Sequence, residues 1–354
     1  MRGAGIVVAG AGALGSAIAL RLAEDGARVL VIDPAPAGAN ASGLAAGMLA
    51  PAFEALFDAA CAPPFELMRE ARDRWPALAE NIGLPLDRSG AVAISAPDAA
   101  SGWEETLAGL GAAARRLSPE ALCGLTPAPR QDAVGLFSPE EWRLSPAFAL
   151  RALHRAARGA GVGFFEGEVR DFARGPLGIS VAGKATADWL IVATGASRLL
   201  RNVAPELAAL TPIKGHILRA VSDLPAGPTL RSPEVYVCPT GAELILGATM
   251  EIGVAGRTVD HGVAAGLEAA GARLCPSLER LVWRPAAGVR AATPDGAPFV
   301  GASATPGVVL AVGARRNGWL LAPLVAEIVA DVVAGRPKTA AARSFDPARA
   351  TAPG

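Results

Sequence analysis

The stretch of sequence that decides the fold is "GIVVAGAGALGSAIALRLAEDGARVLVID", residues 5–33. It opens with the continuous apolar run GIVVA and passes through the glycine-rich turn GAGALG. Apolar residues then recur at helical spacing until Gly26, and the stretch ends in the apolar run ARVLVID. A strand, a tight turn, a helix and a second strand in this order predict a βαβ unit with two parallel, buried strands.

The turn has the spacing of a dinucleotide-binding fingerprint. Gly10, Gly12 and Gly15 follow the G-x-G-x-x-G order, and Asp33 ends the second strand eighteen residues after Gly15. Glycines allow a pyrophosphate to approach the backbone N–H groups at the helix N-terminus, and the carboxylate can accept a hydrogen bond from a ribose hydroxyl. The pattern predicts an adenine dinucleotide, and it does not distinguish NAD from FAD.

Composition and charge restrict the class of protein. The chain has 354 residues, of which 51% are apolar, and its 33 Lys and Arg are balanced by 33 Asp and Glu. This length predicts two domains, or one large domain with an inserted lobe. No dense basic run is interleaved with aromatic residues, so we expect neither nucleic acid nor a membrane surface as partner. The expected partner is a small molecule.

The cysteines and the N-terminus add three expectations. Four cysteines lie far apart without a C-x-x-C pair, which argues against a metal site or disulfide framework and favours buried free thiols; they are Cys61, Cys123, Cys238 and Cys275. The first apolar run has no charged segment or cleavage site before or after it, and it is too short to cross a bilayer. These features predict a cytoplasmic protein.

The rest of the chain alternates between two kinds of pattern. Helical spacing returns at 145–161, and apolar strands follow at 162–167 and 188–196. Residues 211–250 contain short alternating segments, which are typical of an antiparallel sheet. The stretch 307–336 reads as a strand, a loop and a long amphipathic helix. We therefore expect the chain to cross several times between a nucleotide domain and a second lobe.

Four further segments carry a family resemblance: "ASGLAAGMLAP" (41–51), "LIVATGA" (190–196), "GVRAATPDGAPFVG" (288–301) and "VGARRNGWLLAP" (312–323). Together with the fingerprint they resemble the D-amino-acid oxidase family of flavoenzymes, and most of all its glycine-oxidising branch. The resemblance implies an α/β chain with a Rossmann-like FAD-binding domain of the glutathione-reductase type, interleaved with an α+β substrate domain on an antiparallel sheet. The implied ranges are 1–80, 144–210 and 288–345 for the FAD-binding domain, 81–143 and 211–287 for the substrate domain, and 346–354 for a C-terminal tail.

The resemblance also implies the cofactor and the residues that bind it. The sarcosine oxidase branch tethers its flavin through a cysteine near the C-terminal motif, and "RAATPDGAP" (290–298) has none, so we expect non-covalent FAD and no metal. The implied FAD-binding residues are Gly10, Gly12, Ala13, Leu14, Gly15, Asp33, Pro34, Ala41, Ser42, Ala46, Gly47, Met48, Val169, Thr194, Gly195, Ala314, Arg315, Arg316, Asn317, Gly318, Trp319 and Leu320.

The substrate residues follow from the same resemblance. Arg290, Arg316 and Tyr236, the only tyrosine in the chain, match the carboxylate-binding positions, where a guanidinium can bind an amino-acid carboxylate in bidentate fashion. Three more residues match positions that line the pocket, namely Met48, Glu54 and Met250. Arg315 stands where relatives often carry an aromatic residue, and this departure leaves the choice of substrate open.

The implied reaction is oxidative deamination of glycine or another small amino acid or amine. The α-hydrogen leaves as hydride to flavin, the imine hydrolyses to a 2-oxo acid and ammonia, and O2 becomes H2O2, with a role in thiamine thiazole formation and a homo-oligomeric assembly. Two alternatives stay open. One is a D-amino-acid or secondary-amine (sarcosine-like) dehydrogenase with another electron acceptor, and the other is a non-catalytic flavin-binding redox module. We expect structural roles for His154, His216 and His261.

Overall fold

The structure is a computed structural model, which describes residues 3–58, 63–125, 133–175, 178–181 and 185–351. Cys61 and the last three residues of the predicted tail, 352–354, lie outside this part of the chain. Its strands are β1 (Gly5–Ala9), β2 (Arg28–Asp33), β3 (Met48–Leu49), β4 (Ala91–Ser95), β5 (Arg115–Arg116), β6 (Val134–Ser138), β7 (Trp142–Arg143), β8 (Gly163–Glu166), β9 (Phe172–Gly175), β10 (Gly178–Val181), β11 (Ala185–Ala187), β12 (Trp189–Val192), β13 (Thr211–Val221), β14 (Thr229–Arg231), β15 (Tyr236–Pro239), β16 (Glu243–Gly247), β17 (Glu251–Ile252), β18 (Arg284–Ala292), β19 (Phe299–Ala302) and β20 (Val308–Val312).

The helices connect these strands and cover the sheets. The α-helices are α1 (Ala13–Glu24), α2 (Ala41–Leu44), α3 (Pro51–Phe57), α4 (Phe65–Asp73), α5 (Trp75–Ile82), α6 (Pro97–Gly109), α7 (Pro119–Leu125), α8 (Pro146–Gly159), α9 (His261–Leu274), α10 (Gly318–Val333) and α11 (Ala340–Ser344). Short 3-10 helices span Leu199–Asn202, Pro205–Ala209, Pro276–Arg280 and Pro347–Thr351.

The predicted βαβ unit forms the centre of a six-stranded sheet. The strand order is β19-β20-β12-β1-β2-β8, and all neighbours are parallel except β19, which runs antiparallel to β20. Helices α1, α8 and α10 pack on one face through a large apolar core. The other face is covered by the three-stranded sheet β11-β10-β9 and by the 3-10 helices after residue 198. Both faces are therefore buried, which explains the continuous apolar runs of β1 and β20.

A second, larger sheet forms the other lobe. Its order is β17-β13-β16-β15-β14-β4-β6-β5, and β18 also pairs with β13. The predicted antiparallel pattern is confirmed for every pair in this sheet except β4 and β14, which are parallel, with Val92 opposite Leu230. This correction has a topological reason. β4 enters the sheet on an earlier passage of the chain, and the long path to β14 permits a parallel neighbour.

The chain crosses repeatedly between the two sheets, as expected. The boundary predicted between residues 287 and 288 falls inside β18, a continuous strand that runs from the second sheet to the junction of the lobes. At the C-terminus, Arg349 forms an ion pair of 2.7 Å with Asp295. The division into domain ranges stays a prediction.

The cysteines only partly follow the expectation of buried thiols. Cys238 and Cys275 are buried and free, but Cys123 is exposed. The reason is that α7 buries only Leu122, so that its other side chains face away from the core. Within the described ranges, no helix combines the length and the apolarity that crossing a membrane would need.

Candidate functional site

Two adjoining cavities lie where the two sheets meet. The larger has a volume of about 500 Å³ and runs along the ends of β1, β2 and β12. The smaller has a volume of about 80 Å³. Five residues line both cavities, namely Ala41, Ala45, Arg290, Arg316 and Trp319. The shared lining makes the smaller cavity a side chamber of the larger one.

The fingerprint turn shapes the wall of the larger cavity. Gly10 has a φ of +109°, and a Cβ added there would lie 2.3 Å from the carbonyl oxygen of Ala193. A Cβ on Gly15 would lie 2.0 Å from the carbonyl oxygen of Gly10. Gly12 differs, because its added Cβ would meet only Ser42, with Oγ at 3.1 Å. Gly10 and Gly15 allow close packing of the backbone. Gly12 keeps open the space in front of the N-terminus of α1 that a pyrophosphate needs.

Asp33 stands at the far edge of this turn. Its Oδ2 accepts a hydrogen bond of 2.6 Å from the Ala11 N–H, and its Oδ1 accepts one of 2.8 Å from the Ala35 N–H. An ionised carboxylate has about four acceptor positions, so both oxygens keep capacity for hydroxyl groups. A lining of glycines, a helix N-terminus and an oriented acid fits an adenine dinucleotide.

Most of the FAD-binding residues implied by the sequence do line the cavities. The larger one is lined by Gly10, Gly12, Ala13, Leu14, Asp33, Pro34, Ala41, Ser42, Val169, Thr194, Gly195, Ala314, Arg315, Arg316, Gly318 and Trp319. Four others line only the smaller one, namely Ala46, Gly47, Met48 and Asn317. Gly15 and Leu320 line neither, because Gly15 packs against the turn and Leu320 is buried in the core. Among the described lining residues of both cavities there is no cysteine.

The N-terminus of α10 lies at the junction of the cavities. Asn317 occupies the N-cap position without a side-chain capping bond and is buried. The indole Nε1 of Trp319 donates a 3.0 Å hydrogen bond to the carbonyl oxygen of Ser42. This bond fastens α10 to the glycine-rich segment that follows β2. The positive end of a helix dipole stabilises an anion in such a place.

Tyr236 forms one wall of the smaller cavity. It pairs with Gly247 across β15 and β16, and a Cβ added to Gly247 would lie 2.3 Å from the phenol oxygen. The ring therefore lies directly over the glycine. Burial raises the pKa of Tyr236 to about 12, against the opposing effect of the nearby arginines. The hydroxyl is thus a proton donor at neutral pH.

Arg290, near the end of β18, lines the same cavity. Its guanidinium lies over Gly215, where an added Cβ would be 2.5 to 2.8 Å from it. Nη1 donates to the carbonyl oxygen of Thr249 (3.1 Å) and contacts the Met250 sulfur (3.0 Å). Burial lowers the pKa of Arg290, but a guanidinium keeps its charge in proteins. Its remaining N–H groups have no partner among the described residues.

A cluster of buried and half-buried ions lies beside the smaller cavity. Oε1 of Glu54 accepts a 2.9 Å hydrogen bond from Arg231 and lies 3.3 Å from Nη2 of Arg316. Asp58 pairs with Arg315 and lies 3.8 Å from Nη1 of Arg316. Burial alone would raise the pKa of Glu54, but the charges of Arg316 and Arg231 outweigh it and lower the pKa. Glu54 therefore stays ionised.

All six substrate residues implied by the sequence line the smaller cavity: Arg290, Tyr236, Arg316, Met48, Glu54 and Met250. The sequence interpretation missed Arg231, which is 1% exposed beneath Glu54, and Asp58, the partner of Arg315. Arg231 lies in the polar stretch PTLRSPE (228–234), whose pattern gave no signal for its burial. Asp58 carried no signal, because its role depends on where α3 ends.

The histidines lie outside the cavity linings. Nε2 of His154 and the hydroxyl oxygen of Ser16 form a hydrogen bond of 2.9 Å. Nε2 of the buried His216 accepts from the Asp260 N–H (2.9 Å), and its Nδ1 lies 2.9 Å from Glu251. These contacts connect parts of the structure and place neither ring in a cavity.

Glu141 is a buried acid beneath α3 that the sequence interpretation also missed. Its Oε1 accepts a 2.8 Å hydrogen bond from the Ala52 N–H, and Oε2 accepts a longer one of 3.4 Å from Phe53. Burial raises the pKa of Glu141 from 4.5 to about 7, although Arg231 and the two N–H groups act in the opposite direction. The folded protein therefore holds this proton more tightly than the unfolded chain does.

Glu141→Gln is expected to change how stability depends on pH. In the wild type, the contribution of Glu141 is fully present below pH 4.5 and is lost as pH rises through about 7, a difference of about 3 kcal/mol. Relative to the wild type, the variant should therefore gain stability between these pH values. Denaturant unfolding of both FAD-loaded proteins at pH 5 and pH 8 measures this gain. An equal change in the free energy of unfolding of both proteins between these pH values would contradict the prediction.

Comparison with known proteins gives a consistent result. The family model described as FAD dependent oxidoreductase (DAO) matches residues 5–332. A glycine oxidase of Geobacillus kaustophilus is 28% identical and covers 93% of this chain and 92% of its own length. A bifunctional protein ThiO/ThiG of Nostoc sp. is 32% identical over 93% of this chain, which spans 52% of that relative.

Two solved structures of oxidases also match this chain. The crystal structure of glycine oxidase from Geobacillus kaustophilus matches with a TM-score of 0.86 and 27% identity, covering 98% of both chains. An iminodiacetate oxidase (IdaA) from Chelativorans sp. BNC1 matches with a TM-score of 0.84 and 22% identity, covering 97% of this chain and 98% of its own. The second likeness concerns the fold alone.

Proposed function

Because this chain belongs to the DAO family of FAD-dependent oxidoreductases, we propose that it oxidises glycine or another small amino acid at the α-carbon. The resemblance and the fold class predicted from the sequence are thereby confirmed, and FAD is the cofactor. An FAD-dependent amino-acid oxidase similar to glycine oxidase is the assignment that the family and the relatives support. The identity of the substrate is our proposal.

The observation that carries the proposal is the pairing of Arg290 and Tyr236 in a small chamber beside the cofactor cleft. A guanidinium with free N–H groups and a protonated phenol can both donate to one carboxylate. Arg316 adds a second positive charge at the same cavity. With a volume of about 80 Å³, the chamber fits a small amino acid better than one with a long side chain.

The reaction follows from this placement. FAD held in the larger cavity would supply a hydride acceptor, so that loss of the α-hydrogen with its two electrons would convert the amine to an imine. Water then converts the imine to a 2-oxo acid and ammonia. The protein holds the carboxylate at a fixed place and so orients the α-carbon toward the cleft, and such positioning alone is worth several kcal/mol. In this proposal the amine proton passes to solvent.

Anaerobic titration of the FAD-loaded protein tests the proposal. We expect glycine, sarcosine or D-alanine to abolish the visible flavin absorbance, with the preferred substrate acting at the lowest concentration. A flavin that stays oxidised with all three compounds would contradict an amino-acid oxidase of small substrates and favour a redox module without amine chemistry.

The electron acceptor in this proposal is O2, which is reduced to H2O2. The names of the relatives, glycine oxidase and bifunctional protein ThiO/ThiG, support an oxidase, and a contribution to thiamine thiazole formation is part of the proposal. Peroxide measured per glycine consumed should approach a ratio of one. A low ratio together with fast reduction of an artificial quinone would instead favour a dehydrogenase.

Tyr236→Phe tests the role of the phenol. The change removes one hydrogen-bond donor and keeps the ring over Gly247, so the KM for glycine should rise about 10-fold with FAD content unchanged. Steady-state kinetics measure the KM for glycine, and the visible spectrum measures the FAD content. Unchanged kinetics would assign Tyr236 to packing alone.

A further inference from the structure

We propose that Glu54 binds the substrate ammonium group and so selects amino acids over other carboxylates. This inference rests on the proposed function and adds to it a specificity-determining residue in the same cavity. Oε2 of Glu54 is buried and has no hydrogen-bond partner among the described residues, although the residue lines the smaller cavity.

The two oxygens of Glu54 are in different situations. Oε1 is shared by Arg231 at 2.9 Å and Arg316 at 3.3 Å, which fixes the carboxylate of this α3 residue. The side chain is 5% exposed, so bulk water does not solvate the free oxygen. A buried carboxylate oxygen without a donor is costly. A ligand that brings an N–H group into the cavity would remove that cost.

The chamber offers the complement of a zwitterion. Arg290, Arg316 and Tyr236 supply donors and positive charge, and Glu54 supplies the carboxylate of the described lining. An amino acid at neutral pH carries a carboxylate and an ammonium group on neighbouring atoms. When Arg290 and Tyr236 bind the carboxylate, the ammonium group needs an anionic acceptor, and the free oxygen of Glu54 can provide it.

Glu54 keeps its charge and is suited to recognise a cation. The nearby arginines lower its pKa, so it accepts hydrogen bonds without taking the proton. An anion beside the ammonium group also favours the protonated amine. Glu54 should therefore raise the pKa of the bound amine, which has to lose a proton before its α-hydrogen can leave as hydride.

Two probes distinguish this role from carboxylate binding. Acetate presents a carboxylate without an amine, and its binding is read from the shift of the flavin spectrum. For glycine, the apparent Kd is read from anaerobic stopped-flow reduction. In Glu54→Gln we expect the glycine Kd to rise about 10- to 100-fold and the acetate Kd to stay within about threefold. The rise of kcat with pH should move to lower pH.

Two further variants keep the test decisive. Glu206→Gln makes the same change at a buried carboxylate that lines neither cavity, and it should leave the ratio of glycine to acetate affinity unchanged. Glu54→Asp keeps the charge and shortens the reach, and it should weaken glycine selectively even if Glu54→Gln loses FAD.

The outcomes separate this inference from the proposed function. A wild type that glycine and other small amino acids do not reduce would defeat the proposed function. A wild type reduced by glycine, with Glu54→Gln equally selective or with acetate weakened as much as glycine, would overturn the role of Glu54 alone.

Discussion

Replacing Arg290 with alanine is expected to raise the KM for glycine by about 100-fold or more while FAD binding is retained. The guanidinium is the group that charge and position match to the substrate carboxylate, and removing one partner of a buried charge pair usually costs several kcal/mol. Its contacts to Thr249 and Met250 are at the cavity wall. The visible flavin spectrum reports retention of the cofactor, and steady-state kinetics report the loss.

An arginine on the same strand provides the control. Arg284 lies at the exposed start of β18 and lines neither cavity, so Arg284→Ala should change the KM by less than about twofold. The proposed substrate site would be contradicted by normal glycine turnover in Arg290→Ala. A loss of FAD from that variant would instead assign Arg290 to the cofactor cleft, whose lining it also shares.

The sequence motifs predicted which side chains line the smaller cavity, but they did not predict which of these side chains contact one another. Arg290, Tyr236 and Arg316 lie far apart in the chain, and the structure brings them together because β18 and β15 belong to one sheet and α10 begins beside it. The family motifs carried this information. Local spacing could not, since pairing between strands β13, β16 and β18 is a property of the whole sheet.

The buried ions were harder to predict. Arg231 pairs with Glu54 from a strand 177 residues away, and Glu141 reaches α3 from the segment between β6 and β7. Each sits in a short, ordinary-looking polar stretch. Their burial depends on how the lobes close over α3, which no period of apolar residues encodes.

The glycine fingerprint was predicted from local rules, because it requires only a strand, a turn and a helix in sequence. Its glycines nevertheless divide into two kinds that spacing does not distinguish. Gly10 and Gly15 are needed because backbone atoms pack against them, whereas a side chain at Gly12 would enter the cavity. This difference yields the second large prediction.

Gly12→Val is expected to give a folded protein that is purified without FAD and is inactive. Gly12 has φ −75° and ψ −170°, an extended conformation that valine adopts without strain. Its added Cβ would meet only the Ser42 side chain, so the fold should tolerate it. The two methyl groups would occupy the pyrophosphate space before α1, and we expect FAD affinity to fall about 100-fold or more.

Two other glycines make this result interpretable. Gly266→Val, in α9, where an added Cβ meets nothing within 4 Å, should keep FAD and activity. Gly10→Val should reduce the stability of the apo-protein, because the new Cβ would clash with the backbone of Ala193 at a positive φ. Thermal unfolding of the apo-proteins and titration with FAD measure both quantities. If Gly12→Val binds FAD normally, the pyrophosphate does not lie in front of this turn, and the whole orientation of the cofactor in the larger cavity must be revised.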